Sequence, residues 1–243
     1  MDGVKATRRL AAGPALPVSR ALTRSALAAR AYDAVKAMIL DQEIPPRAHI
    51  AIDLLAQTLG VSQTPIREAM ARLEGDGLVV REENGRLHVA DVLDRAGFEQ
   101  LYVMRLALEP LAAAFAAEAA TQAEILSLRE TIAQMGASAG QGSSAGYAPF
   151  LGADTAFHEG IARAGGNRFL ADAVHHLHSH HRLAFLYRNR GVTDWQVARG
   201  EHVRIAEAIA GRDPEQAAAM MRAHIERSRE VLRAGFVPVP EVG

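Results

Sequence analysis

Four side chains suited to metal or acid–base chemistry fall on helical faces that should be buried. The run Phe150, Leu151, Asp154, Phe157, His158, Ile161 has helical spacing and sets Asp154 and His158 one turn apart on its apolar side. His202 lies in the stripe His202, Ile205, Ala206, Ile209, and His224 in the stripe Ala217, Met220, Met221, His224, Ser228. Taken singly, each histidine is better explained as a hydrogen-bonded core residue. Taken together, three helices each direct such a group inward. One Asp and three His form a competent donor set for Zn²⁺ or a similar divalent ion, with Ni²⁺ and Mn²⁺ as alternatives. Mostly neutral ligands would leave the ion net positive, able to attract an anionic small molecule.

Two further features carry polar chemistry. Arg105 sits at the centre of the apolar stripe Phe98, Leu101, Tyr102, Leu108, Ala112, Phe115. A buried arginine needs an anionic partner. Glu109, one turn on, supplies one internally, and spacing favours that salt bridge; a bound carboxylate is the functional alternative. The tract VHHLHSHH holds His175, His176, His178, His180 and His181. Their directions cover most of a helix circumference, so they cannot converge on one ion. One or two of them, such as His176 or His180, are placed to face a pocket, and the rest are expected to be a solvent-facing polar surface.

The elements that must position these residues are helices. From Ala96 onward no strand pattern appears, and helices are expected at about 96–118, 122–135, 149–164, 167–188, 194–211 and 214–234. Gly165-Gly166 and Gly211-Arg212-Asp213-Pro214 separate them, and Asp213, Pro214 and Gln216 make a well-formed helix start. Residues 136–146, GASAGQGSSAG, are expected to be a flexible loop. Residues 96–234 thus form an all-α bundle.

The N-terminal half has another organisation. In AIDLLAQTLGVSQTPIREAMARLEGDGLVV, Ile52, Leu55, Ala56 and Leu59 make one apolar face, and Ile66, Ala69, Met70 and Leu73 a second. Between them Gly60 suits the left-handed end of a helix, Ser62 or Thr64 can cap the next, and Pro65 fits its first turn. Leu78-Val79-Val80 and Leu87-His88-Val89 flank the turn residues Glu82-Glu83-Asn84-Gly85 and predict a hairpin. A first helix over Leu27–Leu40 completes a winged helix-turn-helix across residues 28–90, whose second reader helix would enter a DNA major groove.

LGVSQTPIREAMARLEGDGLV resembles the signature of GntR-type bacterial transcription regulators. The resemblance implies that Ser62, Gln63 and Thr64 hold phosphate at a helix N-terminus and that Arg67 reads a base edge, with Arg72 beside them. Three positions depart from the family pattern: Gln63 stands where arginine is usual, Pro46-Arg47 replaces Pro-Gly, and the wing tip carries Glu82 and Glu83. Further on, DTAFHEGIARAGGN, EHVRIAEAIAGRD and AAAMMRAHI resemble landmarks of the branch with a FadR C-terminal (FCD) domain, which holds a divalent metal by one Asp and three His. That resemblance makes Asp154, His158, His202 and His224 the metal ligands. RLALEP likewise resembles the segment whose arginine helps bind an effector carboxylate, here Arg105. Asn167, His176 and His180 join it as candidate effector contacts.

Composition bounds these readings. The net charge of −1 gives no global nucleic-acid signal, and residues 28–90 hold seven Lys and Arg against nine Asp and Glu. Residues 1–27 hold five basic residues against one acidic, and read as a disordered basic arm able to add phosphate contacts. There are no cysteines, and no apolar run approaches the roughly 20 residues that span a bilayer. By composition the chain is expected to be cytoplasmic, and the resemblance implies a homodimer that binds double-stranded operator DNA, as a repressor, and senses a small carboxylate. A regulator that senses the metal itself is one alternative, and a metal-dependent hydrolase is another, though no general base is placed for it.

Overall fold

The computed structural model describes residues 18–41, 43–138, 144–188 and 195–234. Among them are nine helices and three short strands, divided into two compact units. One unit takes the chain up to Met38 and His49–His88, and the other takes Ile39–Ala48 and everything from Val89. The segment 39–48 therefore packs with the second unit, although it lies inside the stretch 28–90 expected to form the DNA-binding module.

The first unit holds α1 (Val18–Leu40) up to Met38, β1 (His49–Ile50), α2 (Ile52–Leu59), α3 (Gln63–Gly75), β2 (Val79–Arg81) and β3 (Leu87–Val89) up to His88. Helix α1 begins inside the stretch expected to be disordered, a correction for residues 18–27; residues 1–17 of that arm lie outside the described residues. The correction follows from composition, since Ala21, Leu22, Ala26 and Leu27 are strong helix formers. Gly60 ends α2 in the left-handed conformation, with φ 65°, as the turn requires. Ile66, Ala69, Met70 and Leu73 on α3 and Val35 of α1 are fully buried, and Tyr32 of α1 and Leu55 of α2 are buried. The sheet order is β1-β3-β2, with β1 antiparallel to β3 in the register His49↔His88 and Ile50↔Leu87. Strand β1 escaped the sequence because two residues show no periodicity.

The second unit is built from α4 (Arg95–Ala119), α5 (Gln122–Ser138), α6 (Ser144–Ala164), α7 (Arg168–Arg188), α8 (Trp195–Ala210) and α9 (Pro214–Arg233). Asp94 caps α4 by accepting from the Gly97 amide at 2.7 Å, and Asp213 caps α9 by accepting from Gln216 at 2.9 Å. Helices α5 and α6 take in both ends of the expected 136–146 loop, and residues 139–143 lie outside the described residues. Phe98, Tyr102, Ala113 and Ala116 of α4 share one core with Leu128 and Met135 of α5, Phe157 and Ile161 of α6, Val174 of α7, Ile205 and Ile209 of α8, and Met221 and Ile225 of α9. Just after α6, the missing side chain of Gly165 lets the chain lie close against α4: a Cβ there would lie 2.9 Å from Phe115 Cβ and 3.3 Å from the Ala112 carbonyl oxygen. Between the helical elements Arg47 takes φ 64°, a conformation that disfavours side chains and that the Pro-Gly of the resembling sequences would meet without strain.

Candidate functional site

The buried polar residues of the helical unit gather at one place. Asp154 and His158 come from α6, His202 from α8 and His224 from α9, and one ligating atom from each lies within 4.8 Å of the others. None is more than 6% exposed. His202 Nε2 lies 3.2 Å from Asp154 Oδ1 and 3.4 Å from His158 Nε2, and the rings of His202 and His224 are 4.5 Å apart. The stripes that placed these residues on buried faces also set them at matching depths.

The opposite ring nitrogens face carboxylates. His158 Nδ1 lies 2.5 Å from Glu109 Oε2, and Glu201 Oε2 accepts from His224 Nδ1 at 2.8 Å. A carboxylate on Nδ1 holds the proton there and leaves Nε2 free to ligate, the arrangement of histidines that bind metals. Burial pushes His158 down to about 3, against the pull of Glu109, and burial followed by the neighbouring His202 pushes His224 down to about 4. Both rings are thus neutral at physiological pH, the state a ligand needs. Burial opposes ionisation of Asp154, but His202 and His158 hold its carboxyl well below the usual range. The donor chemistry fits a divalent ion.

Arg105 and Glu109 form the neighbouring part of the cluster. Both are fully buried, and Arg105 Nε donates to Glu109 Oε1 at 2.6 Å, the salt bridge expected from spacing. Burial works against charge on Glu109, yet Arg105 first, then His178 and His158, hold it well below the usual range. Arg105 Nη1 is buried with no hydrogen-bond partner among the described residues. An orphaned guanidinium nitrogen is costly and calls for an acceptor.

Of the histidine tract, α7 buries His178 and His181 rather than the expected pair. His176 is exposed and His180 only half-buried. His178 Nε2 lies 3.1 Å from Glu109 Oε2, its ring stacks on His158 at 4.6 Å, and His181 Nε2 lies 3.0 Å from the Tyr102 hydroxyl. The signal was present: Leu170, Val174, His178 and His181 continue one stripe at steps of four, four and three. Asn167 is not brought to the cluster. It caps α7, accepting from the amides of Phe169 at 3.1 Å and Leu170 at 3.2 Å, at the exposed start of the helix.

The helix-turn-helix unit presents Ser62, Gln63, Thr64 and Arg67 on its exposed face. Ser62 is the N-cap of α3, without a side-chain cap bond of its own. Arg67 Nη2 donates to Gln63 Oε1 at 3.1 Å, and Gln63 Nε2 donates to Asp53 on α2. Arg72 is engaged within the protein, its guanidinium 4.0 Å from the centre of the Tyr32 ring. At the acidic wing Glu82 lies 3.1 Å from His88 and accepts from Asn84 at 2.9 Å.

Residues 27–89 match the gntR family of bacterial regulatory proteins, and residues 100–227 match the FCD domain. The chain is 33% identical over 176 residues to the Nta operon transcriptional regulator of Aminobacter aminovorans, covering 71% of this chain and 79% of that protein. It is 29% identical over 223 residues to the HTH-type transcriptional regulator LutR of Bacillus subtilis, covering 82% of this chain and 98% of LutR. The solved structure of E. coli McbR/YncC shares the fold with a TM-score of 0.75 at 18% identity, covering 87% of this chain and 99% of the other. No helix among the described residues is long and apolar enough to cross a membrane. The matched proteins are regulators, not enzymes, which removes the hydrolase alternative.

Proposed function

Because the chain belongs to the gntR family of bacterial regulatory proteins and carries an FCD domain, we propose that it is a cytoplasmic homodimeric repressor whose helical domain senses a small carboxylate at a zinc site. Asp154, His158, His202 and His224 hold the ion, and when bound it supplies a positive Lewis-acidic anchor. Glu109 and Glu201 orient the two histidines they face. Arg105, kept in place through Nε by Glu109, offers Nη1 to the carboxylate. Ser62, Gln63 and Thr64 hold operator phosphates, and Arg67 reads a base edge in each half-site. The acid acts by binding one arrangement of the dimer better than another, which changes operator affinity by that same difference.

The observation that carries the proposal is the buried Asp-and-three-His set beside an arginine with an orphaned donor. Such a set with no anion nearby would support sensing of the metal alone; the orphaned Nη1 favours an acid. The test is metal analysis of the purified protein and its Asp154→Asn and His224→Gln variants, followed by thermal shifts with a panel of carboxylates and operator binding with and without the acid that responds. Stoichiometric metal, lost in both variants, and an acid that shifts the wild-type midpoint and releases DNA are expected. Metal bound equally by all three proteins would overturn the site, and DNA binding that responds to metal but to no acid would leave the metal as the signal.

A further inference from the structure

We propose that Asp41 and Arg182 form a latch, which fastens the segment leading out of the DNA-reading module to the helix that carries His178 and His181. Through it the state of the buried cluster is passed to that module. The inference builds on the metal reading above, and its test separates the two. Helix α1 runs through the boundary between the units: Met38 belongs to the first, whereas Ile39, Leu40 and the chain up to Ala48 belong to the second. Within the first unit α1 is tied to the reader helix. The Tyr32 hydroxyl donates to Asp76 at the end of α3, and the Tyr32 ring faces Arg72. A shift at the end of α1 is thereby carried to α3.

Within the second unit Arg182 Nη2 donates to Asp41 Oδ1, joining residues 141 apart in the chain. Arg182 stands one residue after His181 and about one helical turn, roughly 6 Å of rise, after His178. The same helix thus presents two imidazoles to the cluster and a guanidinium to the segment 39–48. A helix is stiff over one turn, so a slide or rotation of α7 that re-seats His178 and His181 carries Arg182 with it. At the other end of the segment the Arg47 amide donates to the Val89 carbonyl at 3.0 Å, and the Arg47 side chain to Asp91. Those bonds tie the outgoing and returning chain to each other, whereas Asp41 ties them to α7.

An ion pair at a surface is ordinarily worth little. Arg182 is not placed as a surface residue: its side chain is 15% exposed, against 45% for Asp41, and its Nε is buried with no hydrogen-bond partner among the described residues. Its Nη1 lies 4.0 Å from where a Cβ on Gly152 would stand, so the guanidinium also lies along α6, two residues before Asp154. Burying a guanidinium that far for one acceptor gains little stability. It does set the charge between α6, α7 and the segment, where a change in helix packing alters its hold on Asp41.

The experiment is hydrogen exchange read by mass spectrometry, with and without saturating zinc, on wild type, Asp41→Asn, Arg182→Gln and the double variant. Zinc stoichiometry and operator affinity are measured on the same four proteins, and equal stoichiometry shows that the fold is kept. In wild type zinc is expected to slow exchange in α7 and in residues 39–48 alike. Each single substitution is expected to keep the slowing in α7 and to lose it in 39–48. There the zinc-free exchange should rise roughly two- to fivefold, with a change of similar size in operator affinity. The double variant should go no further than either single one, since one contact is lost. Slowing confined to α7 in wild type, slowing in 39–48 that survives the single substitutions, or operator affinity that none of them changes overturns the latch and leaves the metal site standing. Failure of the wild type to bind zinc overturns the metal reading. The latch then stands if zinc-free exchange in 39–48 rises in both single variants and no further in the double, and falls if it does not change.

Discussion

His158 Nδ1 faces Glu109 Oε2 at 2.5 Å, while the other oxygen of the same carboxylate accepts from Arg105. One buried acid thereby ties the orientation of a proposed metal ligand on α6 to that of the arginine on α4. Glu109→Gln keeps the volume but removes the charge that favours a proton on His158 Nδ1. Metal affinity, read by competition with a chelator of known strength, is expected to fall roughly 10- to 100-fold. Unchanged affinity would show that His158 is oriented by packing alone.

A second acid on α4 sets a pH limit. Glu99 accepts from Arg229 Nε at 2.8 Å and Arg233 Nε at 2.7 Å, both on α9. The bonds from Arg233 and Arg229 lower its carboxyl to about 2, against a small opposing effect of burial. A depressed folded-state value means that the stabilisation is complete above the unfolded value near 4.5 and is lost as pH falls toward 2. Glu99→Gln is expected to cost on the order of 1 kcal/mol at pH 7, the scale of a small surface ion network. The difference in thermal midpoint between wild type and variant should shrink as pH drops below about 4.5. A difference that stays constant down to pH 3 would assign the loss to packing.

What the sequence discloses about this cluster depends on how far apart the partners lie along the chain. Asp154, His158, His202 and His224 were legible because each sits in phase with apolar neighbours on its own helix, and phase is a local property. Arg105 and Glu109 were legible as a pair for the same reason. The approach of Glu109 to His158 was not, because it joins α4 to α6. Choosing His176 and His180 over His178 and His181 was a failure of phase: the histidine tract has no apolar contrast of its own, and Leu170 and Val174 had to be counted forward to see it. The contact of Arg72 with Tyr32 was not legible either, because it joins α3 to α1 across forty residues; Arg72 itself remains exposed.

Close packing at the start of α7 gives a stability test. A Cβ at Gly165 meets Phe115 Cβ at 2.9 Å and the Ala112 carbonyl oxygen at 3.3 Å, and neither is the end of a flexible side chain. Gly165→Ala is expected to destabilise the helical domain by about 1–3 kcal/mol through overpacking. Gly200→Ala, inside α8 with only Arg204 Nη1 at 4.0 Å, should do the reverse by roughly 0.5–1 kcal/mol, since it removes helix-breaking freedom at no steric cost. Denaturant midpoints of the two variants moving in the same direction would refute the packing argument.

On the reader helix, Gln63 stands where the resembling sequences carry arginine, and it links Asp53 on α2 to Arg67. The chain Asp53, Gln63, Arg67 restrains an exposed guanidinium proposed to meet a base, so Gln63 is expected to act through Arg67. Arg67→Ala is expected to weaken operator binding by roughly 1–3 kcal/mol and to leave non-specific binding much less affected, because a base contact is lost and a phosphate contact is not. Gln63→Ala should produce a smaller loss with the same preference for the specific site, and that loss should largely disappear in the Arg67→Ala background, since the two act through one contact. Binding of operator and scrambled duplexes by the four proteins at one fixed salt concentration measures both effects. Equal losses on the two duplexes would place Arg67 on a phosphate, and additive losses in the double variant would mean that Gln63 touches DNA independently.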